Sequence, residues 1–142
     1  MPNIYTMKYT IDKKESYTIF TLQEPKLNSL VAPELKTELI LMGNEGVRNI
    51  ILDMSEVEFV DSSGLSAILV GHRLCSNQQG LLMVCQLHPN VDRLIKISQL
   101  DNVLNIVSDL QKAKDYTMIK ELEREMSSEE DEGEGQSDVD VE

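Results

Sequence analysis

The run Val47-Arg48-Asn49-Ile50-Ile51-Leu52-Asp53-Met54 decides the fold class. Its successive apolar residues suit a strand buried on both faces, as in a parallel sheet, where a strand with one wet face would alternate. Downstream, Asp61-Ser62-Ser63-Gly64 precedes a helical pattern through Leu65, Ile68, Leu69, His72 and Cys75. Gly80 punctuates, and Leu81-Leu82-Met83-Val84-Cys85 reads as a second buried strand. Strands alternating with helices in this order imply a sheet with helices packed against it.

The flanks extend the same alternation. On the amino-terminal side, Ile4–Ile11 and Tyr17–Leu22 are rich in β-branched and aromatic residues around the polar Asp12-Lys13-Lys14-Glu15, which predicts a hairpin. Leu35, Leu39 and Met42 follow at helical spacing, with Pro33 in the first turn and Gly43-Asn44-Glu45-Gly46 at the end. On the carboxyl-terminal side, Pro89–Ile95 begins a short helix, Val103–Val107 reads as a last short strand, and residues 108–126 as a last helix. The expectation is an α/β fold, one sheet with helices against it.

Charge limits the function. The 142 residues hold 25 acids and 13 bases, a net −12. Eight of those acids (Glu129, Glu130, Asp131, Glu132, Glu134, Asp138, Asp140, Glu142) lie in residues 127–142 with no base, leaving −4 for residues 1–126. A nucleic-acid ligand would need a basic footprint, and an anionic membrane surface a cationic segment. No apolar run approaches the ~18–20 residues of a membrane span, so no membrane insertion is expected. The start, Met1-Pro2-Asn3-Ile4-Tyr5, lacks the layout of a secretory signal. Cys75 and Cys85 sit in apolar patterns and read as reduced core residues, which gives a cytoplasmic address. Residues 127–142 have no apolar periodicity and are expected to be disordered.

Catalytic constellations are missing from the pattern. Val60-Asp61-Ser62-Ser63-Gly64 is not a nucleophile elbow, because Val60 stands where a glycine is needed. His72 lies more than two turns into the helix, and His88 directly follows a strand. No phosphate loop, zinc helix or calcium loop is present. The expectation is a non-enzyme without cofactor or metal. The Asp61–Gly64 junction has two readings. One is helix capping, in which Asp and Ser oxygens accept from free N–H groups, for ~1 kcal/mol. The other is a hydroxyl displayed where an added phosphate meets those N–H groups and the positive end of the helix dipole.

Phe59-Val60-Asp61-Ser62-Ser63-Gly64-Leu65-Ser66-Ala67-Ile68-Leu69 resembles the phosphorylation-site segment of the STAS family, the anti-sigma factor antagonists and cytoplasmic domains of sulfate transporters. Leu27–Leu35 is similar to the family's loop entering its first helix, Val47–Asp53 to its central strand, and His88–Leu94 with Ser98–Leu100 to its later Pro-led helix. The resemblance implies a STAS-type single sheet of four to five mixed strands, helices mainly on one side, preceded by a β-hairpin. It implies a STAS domain over 1–112; a C-terminal helical extension over 113–126 and the acidic tail over 127–142 lie outside the family core. It further implies an anti-sigma factor antagonist that binds an anti-sigma factor serine kinase and frees a sigma factor. Phosphorylation on Ser62, with Ser63 as fallback, would switch it off, and a serine phosphatase would reverse this. The implied partner-binding residues are Asn28, Ser29, Asp61, Ser62, Ser63, Gly64, Leu65 and Ser66. Asn28 departs from the Asp common in the family, and Ser66 from a common Gly. A monomer suffices. Two other uses of the fold compete: a subunit bracing the ATPase of a lipid-transporting ABC system, and a phospho-regulated scaffold outside transcription.

Overall fold

The computed structural model describes the backbone of residues 6–141 and the side chains of residues 6–127. Strands β1 (Tyr9–Lys13) and β2 (Thr18–Leu22) form the hairpin, its turn closed by the Lys14 N–H donating to the Tyr17 carbonyl at 2.8 Å. Asp12 and Lys13, expected in the turn, instead pair with Ile19 and Thr18. Then come β3 (Lys26–Leu27), α1 (Ala32–Asn44), β4 (Ile50–Asp53), β5 (Phe59–Val60) and α2 (Ser62–Asn77). The chain continues with β6 (Leu82–Cys85), α3 (Pro89–Ile97), β7 (Asn105–Val107) and α4 (Leu110–Val141). The hairpin is itself the edge of the main sheet, whose order is β1-β2-β4-β6-β7. Only β1 runs antiparallel to its neighbour.

Because β2, β4, β6 and β7 are laid down in one direction across the sheet, right-handed crossovers place all three connecting helices on the same face. The core follows this rule. Phe20, Leu52 and Val84 lie in register across the sheet and share a buried cluster with Leu35 and Leu39 of α1, Ile68 of α2 and Ile95 of α3. The alternate residues Ile19, Ile51 and Met83 face the other way, against Ala113 and Leu110 of α4. The continuous apolar run in β4 is thus explained by helices on both faces, with α4 alone on the second.

A polar clasp fixes α4 to that face. The Asn49 amide donates to the Glu121 carboxylate and to the Ser16 carbonyl, both at 2.9 Å, while its Oδ1 accepts from the Leu81 N–H at 3.0 Å. Arg124 donates to Glu121 at 2.6 Å and holds its carboxyl below the usual carboxylate range, with Asn49 assisting. Side chains of the acidic segment, apart from Ser127, lie outside the described residues, and the backbone of residues 127–141 belongs to the distal part of α4.

Beside the main sheet lies a feature the strand patterns do not reveal. β3 and β5 pair in parallel as a separate two-stranded ribbon, Lys26 opposite Phe59 and Leu27 opposite Val60. The Phe59 N–H donates to the Pro25 carbonyl and the Asp61 N–H to the Leu27 carbonyl. This ribbon draws together the loop that enters α1 and the segment that enters α2.

Candidate functional site

Asp61 leaves the ribbon extended (φ −102°, ψ −174°) and caps α2, its Oδ1 accepting from the Gly64 N–H at 3.0 Å. Capping therefore accounts for Asp61. It does not account for the serines, since neither the Ser62 nor the Ser63 hydroxyl has a hydrogen-bond partner among the described residues. Ser62 is exposed, while Ser63 and Ser66 are half-buried. Gly64 is required by space: a Cβ there would lie 2.5 Å from the Leu27 carbonyl oxygen and 2.8 Å from Val60 Cγ1. Gly64 and Leu65 are buried, so they shape this surface from below.

Asn28 organises the other half of the site. Its Oδ1 accepts from the Leu30 N–H at 3.0 Å and its carbonyl from the Ala32 N–H at 2.7 Å, an Asx-type turn leading into α1. An Asp would accept the same bonds, so the Asn preserves the turn and removes only a charge. The turn leaves Leu30 projecting, 66% exposed, and Phe59 on the ribbon is 52% exposed. Exposed apolar side chains beside polar loops are a usual feature of protein docking surfaces.

Between the first turns of α1 and α2 lies a depression of about 350 Å³ lined by Ser29, Lys36, Ser62, Ser63 and Ser66, together with Ala32 and Pro33. An adjoining groove, about 340 Å³, is lined by Asn28, Lys26, Phe59 and Asp61 among others. The residues singled out from sequence, Asn28, Ser29 and Asp61 to Ser66, are thus brought together. Phe59 and Lys36 were missed as surface residues. A Phe in an apolar run reads as core, and a helix-face Lys carries no signal until α2 is beside it.

The histidines do not join the serines. His88 caps α3, its Nδ1 accepting from the Asn90 N–H at 3.3 Å, and His72 lies ten residues along α2, about 15 Å from Ser62 at 1.5 Å per residue. Cys75 and Cys85 are buried, and burial pushes both thiols up to about 12. Among the described residues no group of acids, His and Cys could hold a metal ion, and no helix is long and apolar enough to cross a membrane.

The STAS domain family model matches residues 8–113. BtrV of Bordetella bronchiseptica, named as an anti-sigma factor antagonist, is 30% identical over 107 residues, which cover 75% of this chain and 91% of that one. An anti-sigma factor antagonist from Mycobacterium paratuberculosis shares the fold with a TM-score of 0.71 at 18% identity, over 80% of this chain and 95% of that one. The Bacillus cell fate determinant SpoIIAA, solved in a phosphorylated form, shares it with a TM-score of 0.62 at 17% identity, over 77% and 98%. At these identities the two solved structures establish the fold alone, and the family rests on the matched model and on BtrV. This chain belongs to the STAS domain family, a family of generally non-enzymatic domains, and its curated relatives there are anti-sigma factor antagonists.

Proposed function

We propose that this chain is an anti-sigma factor antagonist switched by phosphorylation of Ser62. In the unphosphorylated form it binds an anti-sigma factor serine kinase through the surface around Asn28, Ser29 and Asp61 to Ser66, and so releases a sigma factor. The kinase phosphorylates Ser62 and a serine phosphatase restores the binding form. The chain acts as a cytoplasmic monomer, without cofactor and without catalysing a step itself. The observation that carries this reading is the exposed, unpartnered Ser62 hydroxyl at the first position of α2, in the depression it lines with Ser29, Ser63 and Ser66. Ser63 is half-buried, which favours Ser62 and leaves Ser63 the fallback. The solved SpoIIAA relative in its phosphorylated form supports a modification compatible with this fold.

The switch is electrostatic. Phosphate adds roughly −1.5 to −2 charges, beside the Asp61 carboxylate and on a surface that otherwise docks neutral hydroxyls. A loss of about 3–4 kcal/mol on binding corresponds to two to three orders of magnitude in affinity. Full-length Ser62→Ala and Ser62→Asp proteins, used as baits in the native extract with eluates read by mass spectrometry, test the reading. A serine kinase retained by Ala and lost by Asp is the expected result. Equal retention overturns it, and recovery of one transporter ATPase by both baits assigns the chain to an ABC system instead.

A further inference from the structure

We propose that Lys36 receives the phosphate carried by Ser62, so that the modified side chain folds into the depression between α1 and α2 instead of projecting into solvent. This rests on the phosphorylation reading above and adds the group that holds the phosphoryl oxygens.

The depression is polar and one-sided in charge. Ser29, Ser62, Ser63 and Ser66 bring hydroxyls to it, Lys36 brings the single cation among the described residues, and no described carboxylate lines it. Lys36 stands one turn inside α1 and Ser66 one turn inside α2, so they occupy corresponding places on two adjacent helices. Lys36 makes no ion pair among the described residues although it is half-buried. The anionic neighbour of Ser62 is Asp61, whose Oδ1 is already engaged by the Gly64 N–H. An unpaired ammonium among hydroxyl donors suits a dianion, because bonds to charged oxygens are the stronger kind. A phosphate seated there occupies the docking face between Ser29 and Ser66 and covers the first turns of both helices.

The test uses the full chain with phosphoserine installed at position 62 during translation, so that no kinase is involved. The second ionisation of the phosphate, ordinarily near 6, is followed by ³¹P NMR titration. The chain with Lys36 is expected to titrate about half a pH unit lower than the Lys36→Met protein, the size of an exposed ion pair. Lys36→Arg restores the shift. Lys26→Met removes the same charge from the adjoining groove and is expected to leave the shift in place. Identical titrations of the parent chain and the Lys36→Met protein, or an equal effect of Lys26→Met, overturn the proposal. If the kinase baits fail while the Lys36-dependent shift persists, the partner reading falls and the phosphate contact stands.

Discussion

At position 64 a single hydrogen atom decides how the switch segment sits. The glycine lets α2 approach the Leu27 carbonyl more closely than any side chain would allow, and it does so with ordinary negative φ. Its neighbours divide the labour: Asp61 closes the helix end, and Ser62 stays free for another partner. Gly64→Ala gains helix propensity of up to ~1 kcal/mol but forces backbone atoms apart, and overpacking of this kind costs ~1–3 kcal/mol. A net destabilisation of about 1–2 kcal/mol is expected from urea unfolding. An unchanged midpoint would mean that the ribbon yields freely. Asn28→Asp, by contrast, keeps both oxygen-accepted bonds and is expected to leave the unfolding midpoint in place within ~0.5 kcal/mol. Asp61 was legible in the sequence as a cap. The reason for Gly64 was not, since its obstacle, Leu27, lies far away in the chain.

Among the elements, α4 carries the most information about the boundaries of the domain. Its buried positions Ala113 and Thr117 and the clasp residue Glu121 recur at four-residue steps, so that one face lies on the sheet. The Glu121 carboxyl is depressed by Arg124 first, then by Asn49 and Arg48. A carboxyl whose folded value lies below its unfolded one stabilises the fold above the unfolded value, ~4.3, and loses that contribution as pH falls through the folded value. Thermal unfolding of Glu121→Gln is therefore expected to trail the parent protein at pH 7 and to converge with it at strongly acidic pH. A gap that persists unchanged at low pH would show that packing, not charge, holds the clasp. We further propose that residues 127–142 add no packing to the domain. Ending the chain after Met126 would take the net charge from −12 to −4. The unfolding temperature is expected to stay within about 2 °C, and a larger fall would place the acidic segment in contact with the fold.

For the whole molecule, the sequence by itself determined the class of fold. Continuous apolar runs at Ile50–Asp53 and Leu82–Cys85, separated by a helix-period stripe, point to buried strands of an α/β sheet with helices against it. It also marked the Asp61-Ser62-Ser63-Gly64 junction, because cap residues and glycine at a strand-to-helix boundary are local chemistry. Only the tertiary structure decided which face α4 covers, and that the paired ribbon of Lys26–Leu27 and Phe59–Val60 carries Asn28 to Ser62. It alone set Lys36 beside that serine and left Phe59 facing solvent. Two-residue strands have too few positions to show a period, and a lysine's neighbour across two helices depends on how they pack. Local patterns fix elements; the site depends on contacts between segments distant in the chain.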